Sequence, residues 1–250
     1  MEDFFKWAFL CGLVILLAAY FYKDRVPDPS FYDSSSLDAP VQTPTTEASF
    51  STTAEDQRYR IEPKFDYELY GVIVSYNDAD SIFDIWHHDK WKDYLNVRDI
   101  CVIWGDNVRN GVYLDMKFSN DSWTCWAYWP DQTTRKRFDR TALSNNHLLV
   151  NDVTVRKALM SAETGDYIHF KGMLVSYRNS GNGFSRGTST VRTDTGNGAC
   201  ETVYLSEFEV INKANAGMRS LYQVAKWFAI LAMIGYGFAF FNAPAHRRYR

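Results

Sequence analysis

The chain reads as a mainly β fold with short helices, flanked by two transmembrane α-helices, and three observations predict it. An apolar run stands at each terminus, the middle is dense in aromatic and β-branched residues that alternate, and no regular strand–helix alternation argues for a parallel sheet. The aromatic share of 16% suits pleated sheet, and a net charge of −3 with both signs interspersed gives no basic field for nucleic acid.

The ends come first because they fix how the rest is read. Trp227 to Phe241 carries no charge, and with Leu221, Tyr222, Val224 and Ala225 before it, and Lys226 able to snorkel, it makes a span over 221–241. At 1.5 Å of rise per residue, roughly twenty such residues match a hydrocarbon layer of about 30 Å. Residues 4–22 form the other span, with aromatic residues at both ends and only Lys6 interrupting. A cleaved secretory signal is the rival for this segment, but Ala18-Ala19 runs straight into Tyr20, Phe21 and Tyr22 and offers no clean cleavage site. Arg247, Arg248 and Arg250 outweigh Lys23 and Arg25, which places 1–3 and the basic tail 242–250 in the cytoplasm. The main domain is then extracytoplasmic, periplasmic in a Gram-negative cell.

Residues 23–60 are rich in Ser, Thr, Pro and Asp, with few large apolar residues and no periodicity. Such a stretch buries too little surface to offset ordering entropy and predicts a disordered linker. The body is expected over 61–216, close to the commonest domain size. Tyr67 to Tyr76 reads as a strand bent at Gly71, and Asp80 to Leu95 as an amphipathic helix capped by Asp80 or Ser81. Asp99 to Gly105 is a compact strand, and Val112–Phe118 with Ser122–Trp129 a hairpin around Ser119-Asn120-Asp121. In its second arm Trp123, Cys125, Ala127 and Trp129 share one face, and Thr124, Trp126 and Tyr128 the other. Asn151-Asp152 caps a short helix carrying Val155, Leu159 and Met160, and strands follow at Tyr167–Tyr177, Cys200–Leu205 and Phe208–Ile211.

The body is expected to be a small, mostly antiparallel barrel or a strongly curved sheet, and the strand, helix, strand order with the late run GDYIHFKGMLV loosely resembles an OB-type barrel. Several residues carry candidate chemistry. Cys101 and Cys125 fall on neighbouring strands where a disulfide is permitted outside the cytoplasm. Cys200 follows a glycine-rich turn and, with His147 as base, could serve a Cys–His hydrolase; a buried thiol explains the residue equally well. Arg178, Arg186 and Arg192 punctuate a long Gly/Ser/Thr loop over 178–198, where freed backbone amides and guanidinium forks can grip an anion. Asp84 and His88 share a helix face but lack further ligands, so no metal and no cofactor are expected. Trp104, Trp123, Trp126 and Tyr128 are candidates for an aromatic platform.

The function that fits is a membrane-anchored envelope protein, not an enzyme, whose outer domain binds a ligand or a membrane or periplasmic partner. A membrane-tethered hydrolase and an anion sensor are the alternatives. Ala232, Gly235 and Ala239 form a small-residue stripe on the second span that would let it pack closely in an assembly or oligomer.

Overall fold

A computed structural model describes residues 2–81, 84, 86–196 and 198–242. It divides into two compact units, a terminal one of Met1–Arg25 with Asn215–Arg250 and a body of Val26–Ala214.

The terminal unit is a pair of helices, α1 (Glu2–Lys23) and α5 (Ala216–Phe241), both long and apolar enough to cross a membrane. They run antiparallel: Phe5 lies over Gly235, Gly12 meets Phe228 and Ala229, and the Tyr20 and Tyr222 rings stand 6.2 Å apart. The small-residue stripe therefore already has an occupant. Ala225, Ala229 and Ala232 are buried and Gly235 receives the Phe5 ring, all within the chain's own helix pair. Trp7, Val14, Phe21, Leu231 and Phe238 remain exposed along the outside. The tail arginines Arg247, Arg248 and Arg250 lie outside the described residues.

The body is built on one sheet of eight strands: β1 (Val41–Pro44), β2 (Phe50–Ala54), β3 (Gln57–Asn77), β4 (Asn96–Ile103), β7 (Leu143–Leu149), β8 (Tyr167–Asn179), β9 (Ser185–Arg186) and β10 (Glu201–Asn212). A separate hairpin joins β5 (Lys117–Asn120) to β6 (Cys125–Tyr128), and short helices α2 (Asp106–Arg109), α3 (Gln132–Arg137) and α4 (Val153–Met160) fill the connections. Strand β3 serves two neighbours. Tyr59 to Val72 pairs with β8 and Val72 to Asn77 with β4. From β4 the pairing passes to β7, to β10 and to β8, which is itself bonded to β3. Every pairing is antiparallel except β7 with β10, which run parallel.

Alternation sorts each strand into two faces. Leu69, Ile73, Ile100, Val102, Leu148, Ile168, Phe170 and Val203 form the inner cluster, closed at one end by Leu159 and Ala162 of the α4 segment. Asp152 caps α4 through the amides of Thr154 and Val155, as its sequence predicts. Gly71 and Gly172 mark close approaches: a Cβ at the first would run into Val102 and the Ile103 carbonyl, and at the second into the Tyr204 carbonyl.

Two expectations are corrected. Residues 23–60 are not a disordered linker: Pro29–Phe31 and Ser34–Ser36 are 3-10 turns, β1 and β2 pair with β3, and Tyr32 and Leu37 are buried. The Tyr32 hydroxyl donates to the Gly165 carbonyl at 3.0 Å, and the Gly105 amide to the Leu37 carbonyl at 2.8 Å. A segment too polar to make a core is ordered here by docking a few apolar residues on one already made. The body thus begins at Val26, not 61. The second correction is local. The amphipathic helix predicted from Asp80 is instead a single π-helical turn over Trp86–Trp91, held at its start by Asp84, which accepts from the amides of Trp86 and His87 at 3.1 Å. Ile82 and Ile85, two of the apolar positions whose spacing predicts that helix, lie outside the described residues.

Candidate functional site

The outer faces of β4 and β7 carry the polar residues. Asp99 lies directly opposite His147 and Cys101 opposite Asn145, so all four project to the same side. On β10 the parallel register sets Glu201 beside Asn146, which brings Cys200 alongside Asn145. Over this face folds the β5–β6 hairpin. The Cys101 and Cys125 sulfurs stand at disulfide distance, with Cα atoms 5.7 Å apart. Asn145 makes the second attachment, donating to the Trp123 carbonyl at 3.2 Å and accepting from Asn120 Nδ2 at 2.8 Å. Alternation along β6 follows the sequence: Cys125, Ala127 and Trp129 pack inward, while Trp126 and Tyr128 are exposed. The first arm is shorter than predicted, because Val112–Asp115 is a 3-10 turn.

Between the hairpin and the 187–200 segment lies a cavity of about 790 Å³, within the range that ordinary ligand sites occupy. Trp123, Trp126, Trp129, Phe138 and Leu143 wall one part, and Asn145, His147, Arg186, Ser189, Asp194 and Cys200 the other. The glycine-rich segment is held in place by its own Ser and Thr side chains. The Ser189 amide donates to the Cys200 carbonyl at 2.9 Å, Ser189 Oγ donates to Asp194, and Thr202 Oγ1 donates to the Gly187 carbonyl at 2.8 Å.

Beneath the cavity runs a buried polar chain. Asp84 Oδ2 meets His87 Nδ1 at 2.9 Å, and Asn96 Nδ2 lies 3.2 Å from His87 Nε2 and 2.9 Å from Asp99 Oδ1. Asp99 Oδ1 then receives His147 Nδ1 at 2.6 Å. Because Asn96 Nδ2 can only donate, His87 accepts at Nε2 and carries its proton on Nδ1. His147 likewise donates from Nδ1, leaving Nε2 as its second nitrogen. Burial pushes Asp99 up, but the His147 charge and hydrogen bond, with Arg186 nearby, more than offset it and hold the carboxyl below its usual range. Asp84 is also held low: burial opposes, and the bonds from His87 prevail.

The predicted site residues separate. Cys200 and His147 do line one cavity, yet the thiol donates to the Trp123 carbonyl at 3.7 Å, and burial raises its pKa despite a contact from Asn145. Arg178 is exposed opposite Arg60. Arg192 is committed, paired with Glu201 and donating to the Tyr67 hydroxyl at 3.1 Å. Only Arg186 of the three enters the cavity wall, its guanidinium 5.2 Å from the Trp123 ring centre and 5.8 Å from that of Trp91. Asp84 bonds His87, not His88, which stacks on Tyr94. Trp104 belongs to the inner core, so the aromatic platform reduces to Trp123 and Trp126 with Trp129. Asp99, Asn145 and Trp91 escaped the sequence reading. For Asp99 a signal existed: an acidic residue opening an otherwise apolar strand needs a buried partner. No protein-family model matches the chain, and no curated protein and no solved structure matches it significantly.

Proposed function

We propose that this is a membrane-anchored binding protein whose body captures a small ligand in the cavity beneath the β5–β6 hairpin. In this reading α1 and α5 cross the bilayer, since their exposed Trp, Phe and Leu side chains have no place in water. Both termini are cytoplasmic and the body extracytoplasmic, where a Cys101–Cys125 disulfide is chemically stable. We read the circuit β3–β4–β7–β10–β8, with its one parallel pairing and a helix between β7 and β8, as an OB-type barrel. Such barrels bind ligands on the face of their second and third strands, framed by the loops after the first and fourth. Here those are β4 and β7, with the Trp86–Trp91 turn and the 180–200 segment beside them.

The observation that carries the reading is the cavity itself: about 790 Å³, walled by three tryptophans, with a few polar groups converging on one side. The hydrolase alternative draws on Cys200, His147 and Asp99 meeting at the same place. Against it, the thiol is held protonated and bonds to a carbonyl, where a nucleophile needs a thiolate and a base within reach. The neutral aromatic 2-naphthol, titrated into the full chain in lipid nanodiscs with empty discs subtracted, tests the proposal. Saturable quenching of tryptophan emission, weakened at least about tenfold by Trp126→Ala and unchanged by Cys200→Ser, is the expected result. Non-saturable quenching that ignores Trp126 would remove it.

A further inference from the structure

The structure assigns the ligand a class: an apolar, ring-bearing body with a single carboxylate head, held by Arg186. The assignment rests on the cavity being a ligand site and is carried by a separate observation. Nη1 and Nη2 of Arg186 are both buried, and neither has a hydrogen-bond partner among the described residues. A guanidinium carries five N–H donors and a charge that does not titrate away, so burying both of its terminal nitrogens unpaired is strongly unfavourable. Proteins rarely leave such a group without a purpose. The two rings beside it, Trp91 and Trp123, offer their π-faces to the cation but no acceptor lone pair. Trp91 is itself fixed, stacked on Phe184 at 5.3 Å and set edge-on to Trp123 at 4.4 Å, so the guanidinium is held in a rigid aromatic slot.

Two free nitrogens side by side on one plane match two oxygens on one plane. A carboxylate accepts from both in parallel, and this fork-to-fork pairing is the strong, orientation-selective form of the bond. The charge balance agrees. With the His147–Asp99 pair set aside, the cavity wall carries two cations, Arg140 and Arg186, against one carboxylate, Asp194, leaving a single positive charge for a monoanion. Asp99 lies just beneath and its field already reaches Arg186, which disfavours a second negative charge at the same spot. A dianionic phosphate would therefore be under-compensated. Away from Arg186 the wall is Trp126, Trp129, Phe138 and Leu143, which suits an aromatic or aliphatic body.

The comparison of naphthalene-2-carboxylate with naphthalene-2-carboxamide isolates the head group, because the ring body is the same and one charged acceptor oxygen is replaced by a neutral NH2 donor. With the full chain in nanodiscs, the carboxylate is expected to bind at least about tenfold more tightly than the carboxamide. Arg186→Gln should erase that preference, and Arg186→Lys should restore only part of it, since a point charge lacks the fork. Equal affinity for acid and amide, or a preference that survives Arg186→Gln, overturns the assignment while leaving the cavity reading intact. Displacement of the carboxylate by millimolar inorganic phosphate would overturn it too, in favour of a phosphate head. If 2-naphthol also fails to bind, the cavity reading falls with it.

Discussion

Ile100 and Val102 of β4 pack into the apolar cluster with Leu148 and Phe170, while Asp99 and Cys101, each one residue away, face the hairpin with His147 and Asn145. Both faces are shielded from water; Asp99 is as fully buried as Ile100, at 0% exposure. The inner face holds itself together by removing apolar side chains from water, roughly 1.5–3 kcal/mol for each large one. The outer face has apolar packing of its own, with Val74, Cys101 and Ile103 buried under the hairpin, and adds carboxylates, histidines and a cation that must each find a partner. Packing alone would not call for those added charges. On the proposed function the contrast makes the outer face the working surface, and three measurements sharpen or break it.

The largest effect should come from the link between the outer face and its cover. Cys101 and Cys125 are separated by 24 residues, and opening a loop of that size costs about 3 kcal/mol on the chain-entropy account. The double substitution Cys101→Ser/Cys125→Ser should lower unfolding stability by about that amount in chemical denaturation. Dithiothreitol should do the same to the wild type and nothing further to the variant. A wild type indifferent to reduction would separate the hairpin's position from the cysteine pair.

Smaller, and of opposite sign in pH, are the titrations of the two faces. On the outer face Asp99 is depressed when folded, so the stability it contributes is present above the ordinary carboxylate pKa of about 4 and is lost as pH falls through the folded value. On the inner face Tyr67 is raised by burial to about 12, so its contribution is complete below the ordinary tyrosine pKa of about 10 and is lost as pH rises through about 12. Asp99→Asn should flatten the acid limb of a stability–pH curve and Tyr67→Phe the alkaline limb. An acid limb unchanged by Asp99→Asn would assign it to other carboxyls, Asp84 first.

How much of this could be read from the residues divides along the same line. Local pattern sufficed for the apolar ends, for the strands at 67–76 and 167–177 and for the Asp152-capped helix. Long-range docking did not show. Tyr32 reaches Gly165 and Leu37 reaches Gly105, so the order of the 26–60 segment depends on a surface that exists only after the sheet has formed. In the same way Asp99 and His147 are 48 residues apart in sequence and become neighbours only through strand register. The three loop arginines look alike as letters. Glu201 and Tyr67 take Arg192, and solvent takes Arg178, which leaves Arg186.

The central claim is that the outer face holds a buried charge for a ligand and not for stability. The unfolding midpoint of the ligand-free full chain, compared between wild type and Arg186→Met, tests it most directly. Methionine fills much of the same space without the charge, so the variant should be more stable, by about 1 kcal/mol or more. A variant that is less stable by a similar margin would make Arg186 a structural residue and contradict the account.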